Sequence, residues 1–201
     1  NDECGFVAFC FKPKALKEQY LFSVKNPERY GGLYAYMSKN GYVYVYAINS
    51  KGEKKPIITC KNMVQEKKWN YFALSFMNRN DGLGYSDIGE YLINLNGCTE
   101  KFVCKNPRIY YELGLNPVYN IGHNYDGATA THHFEGSITC LTISPRDYVG
   151  DNYIKKHYGT IKDYVIENDT FELETYNYYY HTEFTNSEVT CYTYSNIGST
   201  K

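Results

Sequence analysis

Few residues in this chain have the type and spacing that reaction chemistry requires. Glu172 and Glu174 flank Leu173 and would share one strand face, which is how paired carboxylates are arranged for acid and base work; nothing else joins them, and they read as a solvated face. His132 and His133 are adjacent, so in a strand their imidazoles point to opposite sides and cannot chelate one metal. His123 and His157 stand alone. No Gly-x-Ser-x-Gly turn is present to expose a serine nucleophile. Hard oxygen donors gather twice, at Asn78, Asn80 and Asp81 and again at Asn124, Asp126 and Thr129, with chemistry suited to a cation such as Ca²⁺ and equally with the composition of ordinary turns. Seven cysteines, at 4, 10, 60, 98, 104, 140 and 191, form neither a CxxC pair nor a zinc-finger spacing. Most lie in apolar runs and read as small core hydrophobes; Cys98 and Cys104 are left as a possible bridge.

What remains is aromatic. The chain has 24 Tyr against 10 Phe and one Trp. Tyrosine combines strand propensity with a flat apolar ring and a hydroxyl that needs a wet or hydrogen-bonded end. Coding bias in an AT-rich genome would account for the excess equally well. The most informative segment is Leu33 to Met37 and Tyr42 to Ala47, joined through Ser38-Lys39-Asn40-Gly41. A three-residue loop with Gly41 left-handed pairs Met37 with Val43, Tyr36 with Tyr44, Ala35 with Val45 and Tyr34 with Tyr46. A two- or four-residue loop opposes tyrosines to valines and mixes the faces. The hairpin therefore has an aliphatic face and a tyrosine face of Tyr34, Tyr36, Tyr42, Tyr44 and Tyr46, to which Tyr20, Tyr30 and Tyr91 are candidate neighbours. Sugars stack on such rings through their C–H faces, proteins also favour tyrosine at interfaces, and the same face would serve equally as one inner wall of the core.

The elements around this hairpin are short period-2 strands separated by Gly, Pro and Asn, which makes the class all-β. Gly5 to Phe11 is apolar throughout, as in a strand buried on both faces. Leu21 to Val24, Pro56 to Cys60, Lys68 to Phe76, Glu90 to Leu95, Cys98 to Cys104, Val118 to Gly122 and Phe134 to Ile143 follow, with Asn96-Gly97 as a hairpin turn and polar loops over Met77 to Asp87 and His123 to His133. One helix is expected, capped by Asp151, running over Asn152 to His157 and stopped by Gly159. Val165 to Thr175 and Tyr176 to Tyr194 alternate like strands.

The order of landmarks resembles the laminin G-like, concanavalin A-like lectin/glucanase jelly-roll superfamily. Lys68-Trp69-Asn70-Tyr71-Phe72-Ala73 looks like its "KW-x-H-x-A" strand, Leu92 to Gly97 its "lyvNG" turn, Tyr119 to Gly122 its "l-x-iG" step, and Phe134-Glu135-Gly136-Ser137-Ile138 through Arg146 its "F-x-G-x-ID…iy-x-R" run. Tyr71 and Thr139 depart from that pattern, standing where histidine and aspartate are frequent. The resemblance covers about residues 5–159 and implies a two-sheet antiparallel jelly-roll β-sandwich with one short helix after the last core strand, Trp69 plugging the space between the sheets. It divides the chain into a jelly-roll domain over 1–163, its first strand missing or supplied elsewhere, and a strand-rich tail over 164–201 that completes the sheet or leads into a following domain. Glucanases of the superfamily use Glu-x-Asp-x-x-Glu; here Leu173 stands where the aspartate would be, so no enzyme is expected. The family often holds one Ca²⁺ at the rim, which the two oxygen-rich loops would supply; no cofactor is required.

With 21 Lys+Arg against 22 Asp+Glu and a formal net charge of -1, no global field attracts nucleic acid, and no apolar run is long enough for membrane insertion. The expected role is a non-catalytic recognition or adhesion module that binds a glycan or protein receptor, or alternatively a structural module that associates with copies of itself or neighbouring subunits in a surface, virion-fibre or scaffold assembly. The chain begins Asn1-Asp2-Glu3 and reads as a fragment or processed product. An extracellular, cell-surface or virion setting is favoured, while the odd number of cysteines is compatible with an intracellular one.

Overall fold

The computed structural model describes residues 3–28, 31–79, 88–105, 113, 117–125, 130–167, 178–185 and 188–195. Its strands are β1 (Glu3–Pro13), β2 (Gln19–Lys25), β3 (Gly32–Met37), β4 (Tyr42–Ile48), β5 (Lys54–Met63), β6 (Asn70–Arg79), β7 (Ile88–Leu95), β8 (Cys98–Lys105) and β9 (Val118–Ile121). The short pair β10 (Asn124–Tyr125) and β11 (Ala130–Thr131) precedes β12 (Gly136–Ser144), helix α1 (Asp151–Ile161), and the hairpin β13 (Tyr178–Thr185) and β14 (Glu188–Ser195). One sheet has the order β12-β1-β6-β7-β8, and the other β14-β13-β9-β2-β3-β4-β5. Every pairing is antiparallel, and the two sheets face each other as a jelly-roll sandwich with one helix after β12, the architecture expected from the sequence. Among the described residues no helix is long and apolar enough to cross a membrane.

The central strands of the first sheet, β1 and β6, are apolar on both faces because both are covered. Val7, Phe9 and Phe11 of β1 and Phe72, Leu74 and Phe76 of β6 point between the sheets, where they meet Leu33, Ala35, Met37, Val43, Val45 and Ala47 of the second. Phe6, Ala8, Cys10, Tyr71 and Ala73 point the other way, into a separate cluster closed by Ile154 and Val165. Trp69 belongs to this second cluster. It is buried, with only 3% of its surface exposed, but under the helix rather than between the sheets as the resemblance implied. Strand alternation is the reason: once Phe72 faces the sandwich interior, Tyr71 and Trp69 fall on the opposite side.

Gly150, not Asp151, occupies the helix N-cap, and Asp151 instead pairs with Lys155 one turn on at 2.6 Å. Gly159 does not end the helix, which continues to Ile161 and through a wider π-helical turn over Lys162–Ile166, so Val165 is helical rather than extended. Ile154, Tyr158, Ile161 and Val165 recur at helical spacing on the face that covers the sheet. A mid-helix glycine costs about 1 kcal/mol relative to alanine, whereas each buried Ile or Val contributes about 1.5–3 kcal/mol, so packing outweighs propensity.

Three further boundaries differ from the sequence reading. β5 is longer at both ends, an outer strand that tolerates Pro56. Met77 to Arg79 remain in β6, held by pairing with Glu90, Gly89 and Ile88, instead of opening the loop. Phe134 precedes β12, where its N–H donates to Gly122 O at 2.7 Å. The motif glycine that follows, Gly136, has φ +155 and lies so close to β1 that a Cβ there would sit 2.1 Å from Lys12 O. At the far edge the sandwich is closed by side chains: Lys61 N–H donates to Glu100 Oε2 at 2.8 Å, and Asn62 Nδ2 to Leu95 O at 3.1 Å.

Candidate functional site

The β3–β4 hairpin has the register that its residue types demand. Met37 faces Val43, Tyr36 faces Tyr44, Ala35 faces Val45 and Tyr34 faces Tyr46. Gly41 is left-handed at φ +81, and Ser38 Oγ accepts the N–H of Tyr42 at 3.2 Å to close the loop. Because the aliphatic set lines the sandwich core, the tyrosines are forced onto the outer face of the second sheet. β2 extends that face, since a bulge at Leu21 sets Tyr20 opposite Tyr36 and Ser23 opposite Tyr34.

The tyrosines divide into a floor and an exposed rim. Tyr34 and Tyr46 are 3% and 5% exposed and stack with ring centroids 5.1 Å apart and planes 10° from parallel. The Tyr20 and Tyr46 hydroxyls are hydrogen-bonded at 2.8 Å, and the Tyr20 ring meets Tyr36 edge-on at 5.1 Å. Lys54 Nζ lies 3.9 Å from the Tyr46 ring centroid, a cation–π contact. Tyr36 is half-buried, while Tyr42 and Tyr44 are 38% and 39% exposed on one face of β4, their Cα atoms about 7 Å apart along the strand.

Burial pushes the Tyr36 phenol up to about 12, aided by the Glu18 carboxylate and by Tyr20. Tyr34 and Tyr46 are raised further, again mainly by burial. These three phenols are therefore protonated near neutral pH and offer ring faces and hydrogen bonds, with no nucleophile or base among them.

His132 completes the rim. Its carbonyl accepts the Tyr20 N–H at 2.9 Å, its backbone is left-handed at φ +50, and its exposed ring stands 6.1 Å from Tyr36 and 6.3 Å from Tyr20. His133 diverges from it and stacks against the buried His123 at 6.3 Å. Sequence reasoning did not connect His132 or Lys54 with the tyrosines. Lys54 lies one hairpin away, in a strand whose pairing bulges twice, and His132 arrives through a long-range contact with no local signature. Of the other candidate neighbours, Tyr91 belongs to the opposite sheet, where it is fully buried and donates to Asn78 Oδ1 at 3.3 Å. Tyr30 lies outside the described residues.

Asn78 is buried in β6, where its Oδ1 accepts from the Tyr91 hydroxyl at 3.3 Å and its Nδ2 donates to Glu3 Oε2 at 3.3 Å. Asn80, Asp81, Asp126 and Thr129 lie outside the described residues, and Asn124 pairs through its backbone with Thr131. Among the described residues no three His, Cys, Asp or Glu side chains gather as a metal site. Glu172 and Glu174 also lie outside. Cys98 opens the contiguous strand β8 and Cys104 lies six residues along it, about 20 Å away, so they cannot bridge.

No protein-family model matches the chain, and no curated protein does. Solved structures do. The CBM40 of Ruminococcus gnavus IT-sialidase bound to alpha2,3 sialyllactose is 19% identical with a TM-score of 0.56, covering 77% of this chain and 82% of that one. The native heptameric SAP-like pentraxin from Limulus polyphemus is 15% identical with a TM-score of 0.53, covering 77% and 69%. Mouse laminin alpha1 domains LG4-5 are 9% identical with a TM-score of 0.51, covering 73% of this chain and 37% of that one. The fold is that of the concanavalin A-like lectin/glucanase jelly roll, and at these identities the likeness extends to the fold alone.

Proposed function

We propose that this chain is a non-catalytic recognition module that binds carbohydrate on the outer tyrosine face of its second sheet. The observation that carries the reading is the pair of exposed rings, Tyr42 and Tyr44, held in register on the same face as a buried Tyr34–Tyr46 stack. The stack anchors β3 to β4, so the rim rings lose little freedom when a sugar covers them. His132, Lys54 and the tyrosine hydroxyls supply polar groups for the hydroxyl edge of a pyranose. The glycan-bound CBM40 of the same fold supports the ligand class without specifying which sugar.

A glycan array probed with the whole chain, followed by calorimetry on the hits, tests the reading. Tyr42→Ala and Tyr44→Ala should each weaken a hit about 2–12-fold, the range expected for loss of one aromatic contact worth about 0.5–1.5 kcal/mol. A chain that binds no glycan, or binds equally well without both rings, overturns it.

The second reading, a protein-contact or self-assembly surface, rests on Met63. It is exposed and directly opposite Tyr42, so it extends the aromatic rim with an adaptable apolar side chain of the kind enriched at protein interfaces. Sedimentation of the whole chain distinguishes the two: concentration-dependent association abolished by Met63→Lys favours assembly, and a monomer that binds glycan favours the first reading.

A further inference from the structure

The β1–β12 ladder contains an irregularity that the sandwich does not need. Ala8 pairs with Thr142 and Cys10 with Thr139, so Cys140 and Leu141 together oppose Phe9. Leu141 packs against the central core. Cys140 is the first residue of this bulge and has φ +53, a left-handed conformation in a place that glycine normally fills. Its side chain is exposed, at the edge of the sheet.

Cys10 is the counterpart. It is fully buried in the cluster beneath α1, with Phe6, Ala8 and Tyr71, and it pairs with Thr139, the residue before Cys140, so the two cysteines occupy adjacent rungs of neighbouring strands. One thiol is reachable from solvent and its partner is sealed behind it. Burial, and then the neighbouring Cys140, push the Cys10 thiol well above its ordinary range, so Cys10 does not react first.

We propose that Cys10 and Cys140 are an oxidisable pair that closes to a disulfide across β1 and β12 when a small-molecule disulfide reaches Cys140. Cys140 releases its proton to solvent and its thiolate attacks one sulfur of the reagent RSSR. The Cys140 S–S bond forms and RS⁻ leaves. Cys10 sulfur then attacks Cys140 sulfur, its proton passing to the second departing RS⁻. The balance is two protein thiols oxidised and one RSSR reduced to two RSH. The second step is the slower one because Cys10 must lose a proton in a buried place, so a mixed disulfide on Cys140 should accumulate transiently.

The test is incubation of the folded whole chain with oxidised glutathione, sampled over time by alkylation and intact-mass spectrometry, then peptide mapping. A glutathione adduct should appear on Cys140 and give way to a species about 2 Da lighter than the reduced chain, with the Cys10 and Cys140 peptides linked. Cys10→Ala, checked as folded by its Trp69 emission, should stop at the adduct, and Cys140→Ser should form neither species at these positions. In the unsubstituted chain, a persistent adduct with Cys10 still alkylatable after unfolding overturns the proposal. So does a disulfide found only between other cysteines, such as Cys60 and Cys98.

Discussion

The Tyr71 hydroxyl and Nδ1 of His157 are hydrogen-bonded at 2.8 Å across the seam between β6 and α1. Phe6 closes on the imidazole edge-on at 6.1 Å and Tyr153 stacks over it at 6.1 Å, so the ring is half-buried among aromatics. That burial lowers the His157 pKa below its ordinary 6.5.

A pH dependence follows from this contact. The folded state prefers neutral His157, so its contribution to stability is complete above about pH 6.5, falls as the pH drops below that value, and levels off under the folded pKa. Glu90, lowered by Lys101 and Tyr148 against the opposing effect of burial, and Glu135, lowered mainly by Lys17, lose their contributions only at more acidic pH, from 4.5 downward. Urea unfolding between pH 8 and 5 should show declining stability, and His157→Gln should flatten that decline. An unchanged slope in the variant would refute the assignment.

The helix layer has its own reporter. Trp69 is the one tryptophan and packs in the cluster with Ile154. Ile154→Ala should cost about 2–5 kcal/mol and red-shift the emission if the helix loosens from the sheet. Gly159→Ala should act in the opposite direction, because the site is helical, exposed and has nothing within 4 Å of a new Cβ; a gain of about 0.5–1 kcal/mol in urea unfolding is expected.

The tyrosine face should separate stability from binding. Tyr34→Ala removes a buried, stacked ring and should destabilise by about 3–5 kcal/mol. Tyr44→Ala removes an exposed ring paired with Tyr36 and should cost no more than about 1 kcal/mol. Thermal and urea unfolding of both variants would show the gap; equal losses would mean that the rim is structural.

Gly136→Ala tests why the Phe-x-Gly motif precedes β12. The new Cβ would press on Lys12 O, which is backbone and cannot swing away, so a loss of about 2 kcal/mol or more is expected in urea unfolding. Gly52→Ala serves as a comparison for positive φ without crowding, since it stands at φ +79, against +155 for Gly136, with open space around it.

Much of this architecture was legible in the chain itself. Period-2 alternation marked the strands, and the Tyr34 to Tyr46 hairpin had one register that kept like residues together, because a one-residue slip would have turned every aliphatic side chain toward water. The same alternation gave the hairpin a tyrosine face but left open whether it walled the core or faced outward; packing of the aliphatic face into the sandwich decided it. Whether a given ring on that face would be open to a ligand did not follow. Tyr34 and Tyr44 both alternate with aliphatic residues and both lie in strands flanked on two sides, yet Tyr34 stacks on Tyr46 and is buried, whereas Tyr44 stays exposed. The layer that holds Trp69, the helix that runs through Gly159, the approach of His132 to Tyr20 and the neighbouring places of Cys10 and Cys140 in the β1–β12 ladder were likewise settled by tertiary structure. Each depends on segments distant in sequence or on burial that outweighs local propensity, and neither is encoded within a window of neighbouring residues.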